Sequence, residues 1–124
     1  MYNQLVEKKN GTWQYTPLKY WPNNDSDKIS FFAYAPHNAT GVTPSNAIQK
    51  GYPSFTYTTP TAEADQVDLL AATPIINQNG GSVDFKMQNA LTKVVFNVKS
   101  NDDITGRVIT ASSSTGAHSG TLAF

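Results

Sequence analysis

Short apolar runs with two-residue alternation, each cut off by proline or by an Asn/Gly cluster, recur along this chain, while helical periodicity is nearly absent. That pattern restricts the fold more than any other feature, because a period of two places alternate side chains on one face of a strand. Ile29-Ser30-Phe31-Phe32-Ala33-Tyr34-Ala35 is aromatic or aliphatic on both alternating faces, which predicts a central strand covered on two sides. Pro36 ends it, since proline cannot donate to a ladder. Over 83–87 the alternation puts Val83, Phe85 and Met87 inward and Asp84 and Lys86 outward. Over 92–99, Val94, Phe96 and Val98 share a face opposite Lys93, Asn97 and Lys99. Asn77-Gln78-Asn79-Gly80-Gly81-Ser82 reads as a turn after Ile75-Ile76, its glycines free to take positive φ.

Weaker strands are predicted at 4–8, 13–16, 54–57, 67–71, 107–111 and 121–124. Only 61–72 has helical composition, and Pro60 and Pro74 confine it, so a turn followed by a strand is preferred. Roughly ten short strands separated by turn clusters predict an all-β, antiparallel β-sandwich of immunoglobulin type. No repeat or linker divides the chain, and residues 1–124 are read as one sandwich domain.

Charge is sparse and balanced, with nine Lys plus Arg against nine Asp plus Glu. Nucleic-acid binding rests on a basic surface facing phosphates, so that class is excluded. A third of the chain is Ser, Thr, Asn or Gln, a β-rich, loop-rich vocabulary that fits an extracytoplasmic protein. The absence of cysteine excludes disulfides, thiolate metal sites and a thiol nucleophile. Residues 1–9 contain no apolar export core, and the chain stops inside a strand pattern at 120–124. Both ends therefore read as cuts through a longer protein.

Catalysis needs converging titratable groups, and few are present. His37 lies in a polar loop after Pro36 and reads as solvated; His118-Ser119 lacks the preceding glycine of a nucleophile elbow. Asn23-Asn24-Asp25-Ser26-Asp27 has alternating oxygen donors, but a calcium loop would need glycine where Lys28 stands and an acid where Tyr34 stands. A polar turn is the better reading. Three Asn-x-Ser/Thr triplets, at Asn10, Asn24 and Asn38, are assigned no function. No catalytic residue, metal site or cofactor is expected. Aromatics remain: Trp13, Tyr15, Tyr20 and Trp21 form one group, and Tyr52, Phe55 and Tyr57 another. Such rings can stack on sugars, but packing in a core or corner is favoured because they bury large apolar bodies.

Taken in order, Gly11-Thr12-Trp13-Gln14-Tyr15, Lys19-Tyr20-Trp21-Pro22, Phe31-Phe32-Ala33-Tyr34-Ala35-Pro36, Asp68-Leu69-Leu70 and Ala90-Leu91-Thr92-Lys93-Val94 form a series. It resembles the fimbrillin-like (Mfa-like) family of Bacteroidales, over roughly residues 11 to 99. It departs at Met87 and Asn89, where the family commonly has Phe and His. The resemblance implies a transthyretin-like β-sandwich in an exported, outer-membrane lipoprotein that forms surface fimbriae. It also implies that one subunit's strand fills a groove in the next after a protease removes the groove's first strand. Strand addition works because main-chain hydrogen bonds satisfy an open edge and alternate side chains fill pockets. By alternation, Phe31, Phe85, Val94, Phe96 and Val98 would line the core beside such a groove. The expected partners are other fimbrial subunits and ligands on host or bacterial surfaces, and the chain alone is expected as an oligomer or swapped dimer. The alternative is a cell-surface carbohydrate-binding module stacking sugars on Trp13, Tyr20 and Trp21.

Overall fold

A computed structural model describes residues 2–48 and 51–92, and the backbone of 119–123. Among these residues are ten short strands and a single turn of 3₁₀ helix, Glu63–Asp65, and every strand pairing there is antiparallel. The antiparallel all-β class read from the alternation is therefore the class observed.

The core lies between two three-stranded sheets. In the first, β6 (Ser54–Thr58) is central, flanked by β5 (Val42–Pro44) and β10 (Ser119–Ala123). In the second, β7 (Leu70–Ala72) lies between β4 (Tyr34–Ala35) and β9 (Met87–Asn89). Alternation along β6 is clean, with Phe55 and Tyr57 buried and Thr56 and Thr58 exposed. Phe55, 2% exposed, packs with Leu69, 1% exposed, and its ring lies 5.3 Å from that of Tyr34 across the two sheets. Val42, Val67, Ala71 and Ala90 close around this cluster. Burying a Phe or Leu side chain is worth about 1.5–3 kcal/mol, so Phe55 and Leu69 each contribute substantially to packing. Gly41 makes the turn into β5 possible. It has φ +84°, and a Cβ there would lie 2.1 Å from the Thr58 carbonyl oxygen. The close approach also permits the Thr58 N–H to donate to the Gly41 carbonyl at 2.9 Å.

The run 29–35 is not the single strand its composition predicts. It divides into β3 (Ile29–Phe31), paired with β8 (Ile75–Gln78), and β4, paired with β7. Pro74 lies on the facing chain between Phe31↔Ile75 and the Ala72 N–H to Ala33 carbonyl bond. Having no N–H, it cannot continue the ladder, and the register slips there. The preferred reading of 61–72 holds in outline: a 3₁₀ turn precedes a strand beginning at Leu70. A second correction concerns 83–87. Strand structure begins only at Met87, and Phe85 and Met87 are exposed while Val83 is half-buried. β9 ends its sheet among the described residues, and with Phe85 and Met87 exposed the alternation is not rewarded by burial there. The strands expected at 92–99 and 107–111 lie outside the described residues.

Away from the core, β1 (Glu7–Lys9) and β2 (Thr12–Gln14) form a two-stranded hairpin with register Lys9↔Thr12. Its two-residue loop, Asn10-Gly11, has φ of 52° and 81°. Two consecutive positive φ values are the requirement of a type I′ turn, whose twist matches that of the flanking strands.

Candidate functional site

Among the described residues, two surfaces have the chemistry to engage a partner: the edge that β9 forms there and the aromatic, hairpin-bearing N-terminal region. The main-chain directions of the β9 run follow from its neighbours. The Thr73 N–H donates to the Lys86 carbonyl at 3.3 Å, and the Ala90 N–H donates to the Leu69 carbonyl at 2.7 Å. Lys86, Gln88 and Ala90 thus face β7. By the alternation of an antiparallel ladder, Met87 and Asn89 turn their N–H and C=O groups away from β7, to a side that no described strand pairs. Phe85, 38% exposed, and likewise exposed Met87 and Leu91 lie two or four residues apart along this run. An edge with free main-chain groups and flanking apolar side chains is a template for another strand.

Of the expected groove lining, Phe31 and Phe85 fall among the described residues, and neither belongs to the buried cluster there. Phe31 is half-buried on β3, edge-on to Trp21 with ring centroids 5.5 Å apart, and is not part of the buried cluster. Phe85 is exposed beside β9. Val94, Phe96 and Val98 lie outside the described residues. Among the described residues the buried positions are Phe55, Tyr57, Leu69 and Ala72. Two of these belong to the second aromatic group, for which packing was favoured; the third member, Tyr52, is exposed against Phe32.

The first aromatic group is split. Trp13 is 67% exposed and Tyr20 86%, whereas Trp21 leans on Phe31. Below the hairpin, Gln4, Glu7, Lys9, Gln14 and Tyr15 line most of a shallow polar cleft of about 240 Å³. Lys9 and Glu7 pair at 2.6 Å on this face, an exposed contact of small energetic weight.

A network that the residue order did not reveal ties residues 2–4 to the body. The Tyr34 hydroxyl donates to Asn3 Oδ1 at 2.7 Å, and Asn3 Nδ2 donates to Asn38 Oδ1 at 2.9 Å. His37 Nε2 lies 3.1 Å from the Asn3 carbonyl, which can only accept, so this nitrogen carries the proton. His37 is therefore not the solvated loop residue expected; it is half-buried and stacked on the Tyr34 ring. The Tyr2 hydroxyl donates to the Ser45 carbonyl, and Gln4 Nε2 donates to the Thr16 carbonyl at 2.9 Å. Asn3 and Asn38 both have positive φ, which asparagine tolerates better than most residues. A strand pattern at 4–8 carries no trace of the Asn3 side-chain bonds, whose partners Tyr34 and Asn38 are more than thirty residues away.

The turn at 23–27 is polar, as expected. Asn24 Oδ1 accepts from the Ser26 N–H and hydroxyl, an Asx-type arrangement. Asn79 Nδ2 donates to the Asn24 and Asp27 carbonyls at 2.8 and 2.7 Å, locking that turn to the loop after β8. Among the described residues no three His, Asp or Glu side chains come close enough to hold a metal ion.

Comparison with known proteins adds what geometry alone does not. The family model described as fimbrillin-like matches residues 1–124. Fimbrium subunit Fim1C of Phocaeicola vulgatus is 34% identical over 119 residues, covering 84% of this chain and 31% of its own length. A crystal structure of a fimbrial protein from Bacteroides vulgatus superimposes with a TM-score of 0.65 at 32% identity, over 72% of this chain and 31% of that one. The chain thus spans about a third of the length of these relatives.

Proposed function

The chain belongs to the fimbrillin-like family, and from that premise we propose that it is part of a structural, non-catalytic subunit of bacterial cell-surface fimbriae. The observation that carries this reading is the family match along the whole chain, joined by two fimbrial relatives of related sequence and, for one, related structure. Residues 1–124 act in this reading as one sandwich domain whose partners are other fimbrial subunits. Peptides of this chain should be recovered from fimbriae sheared off the cells that carry it. Recovery from the cytosol alone would overturn the assignment.

Assembly proceeds by strand addition, and the edge at β9 supports that step. An incoming strand would bond to the outward main chain of Met87 and Asn89 and pack beside Phe85 and Leu91. Asn89→Pro removes an N–H that faces away from β7, and edge strands tolerate proline. The variant should fold with the native circular dichroism spectrum and lose self-association in light scattering. Unchanged association would exclude β9 as the joining edge.

A second reading, carbohydrate binding, is favoured by the exposure of Trp13 and Tyr20, each able to present a ring face to a sugar. The packing of Trp21 against Phe31 takes it out of the expected stacking trio.

A further inference from the structure

The chain contains two Asn-Gly pairs, Asn10-Gly11 and Asn79-Gly80, and the fold holds them in opposite ways. Glycine after asparagine is the sequence most open to intramolecular ring closure, because no side chain shields the following amide nitrogen. Asn79 is half-buried, and its side-chain amide is fastened by two hydrogen bonds, to Asn24 at 2.8 Å and Asp27 at 2.7 Å. Turning its Cγ towards the Gly80 nitrogen would break both. Asn10 is exposed at the tip of the β1–β2 hairpin, and its side chain has no hydrogen-bond partner among the described residues.

The two pairs also differ in how much structure must open. Ring closure at Asn10 requires the backbone to leave its left-handed conformation, since the I′ turn directs the Gly11 nitrogen away from Cγ. The obstacle is weak. Strands β1 and β2 hold three residues each, form a two-stranded sheet of their own among the described residues and bury no side chain. An isolated two-stranded hairpin is marginal in water, so it opens far more often than the core does.

We infer that Asn10 is a spontaneous deamidation and isomerisation site of this protein, and that the fold protects Asn79 from the same reaction. The Gly11 amide nitrogen attacks Asn10 Cγ, forming a C–N bond. The Cγ–N bond of the carboxamide breaks, and its nitrogen leaves as ammonia with the proton lost by Gly11. Solvent water then opens the cyclic imide at either carbonyl, giving aspartate or isoaspartate. The two products differ in their structural effect. Aspartate keeps the hairpin, because Asp-Gly also suits a I′ turn, and adds a negative charge beside Lys8 and Lys9. Isoaspartate inserts a methylene into the main chain of a two-residue loop, and the Lys9↔Thr12 pairing cannot survive it. The hairpin thereby has a chemical lifetime shorter than that of the sandwich behind it.

The test is to hold the full chain in warm, mildly alkaline buffer and follow both Asn-Gly peptides by mass spectrometry, with isoaspartyl methyltransferase labelling. A parallel sample is kept in denaturant. In the folded protein the Asn10 peptide should gain a single mass unit at least about tenfold faster than the Asn79 peptide, following the population of the opened hairpin. In denaturant the two rates should converge. Equal or faster conversion at Asn79 in the folded protein would overturn the inference. So would an Asn10 excess that persists in denaturant, or an Asn10 peptide that keeps its mass while the denatured control converts.

Discussion

The β1–β2 hairpin and the β5–β6 pair are both antiparallel ladders of short strands entered through a positive-φ glycine, yet they hold for different reasons. In β6, Phe55 and Tyr57 point into a second sheet and meet Leu69 and Tyr34. In β2, every residue is exposed, including Trp13. Turn chemistry suffices to align two strands, but alignment contributes little stability until one face is covered. At Gly41 the glycine is demanded by both its φ and the Thr58 carbonyl; at Gly11 it is demanded by φ alone, with open space where a Cβ would go.

This contrast can be broken most forcefully at its buried end. Phe55→Ala should cost about 3–5 kcal/mol, the usual penalty for emptying a packed aromatic site. Urea unfolding followed by tyrosine and tryptophan fluorescence measures it, and a loss near zero would mean the core lies elsewhere. Gly41→Val comes next, at about 2–4 kcal/mol, combining left-handed backbone strain with displacement of the Thr58 carbonyl. The same unfolding curve reports it, and a shift no larger than that of an exposed substitution would show that β5 and β6 can separate freely. The smallest effect is at Trp13. Trp13→Ala should change global stability by no more than about 0.5 kcal/mol, as expected for an exposed side chain. The same variant sharpens the carbohydrate reading: if glycans quench the native tryptophan fluorescence, Trp13→Ala should abolish that quenching. Retained quenching would move the sugar site away from the hairpin.

How far residue order reveals the fold depends on whether the deciding interaction is local. The strand at 54–57 and the turn at 23–27 are legible because alternation and Asn/Asp turn chemistry act within a few residues. Asn10-Gly11 carries a strong short hairpin signal, and alternation alone at 4–8 and 13–16 misses it: β1 begins three residues later than that pattern and β2 ends two residues earlier. The β5 strand at Val42–Pro44 has too short a pattern to announce itself and exists because β6 offers it an edge. For the candidate site, alternation over 83–87 picks out Phe85 and Met87 as a pair but assigns them inward, because a period of two says which residues share a face and not what covers it.

The all-β class, the turn positions and the lack of a disulfide or strongly basic surface follow from the residues in order, since each rests on local backbone preference or on composition. Which aromatics are buried, where the 29–35 run breaks, and how His37 and Tyr34 hold Asn3 were settled by the fold. Each depends on what stands opposite: Pro74 without a donor, Leu69 across the core, an asparagine more than thirty residues away. Such partners are adjacent in space and remote along the chain, so no local pattern encodes them.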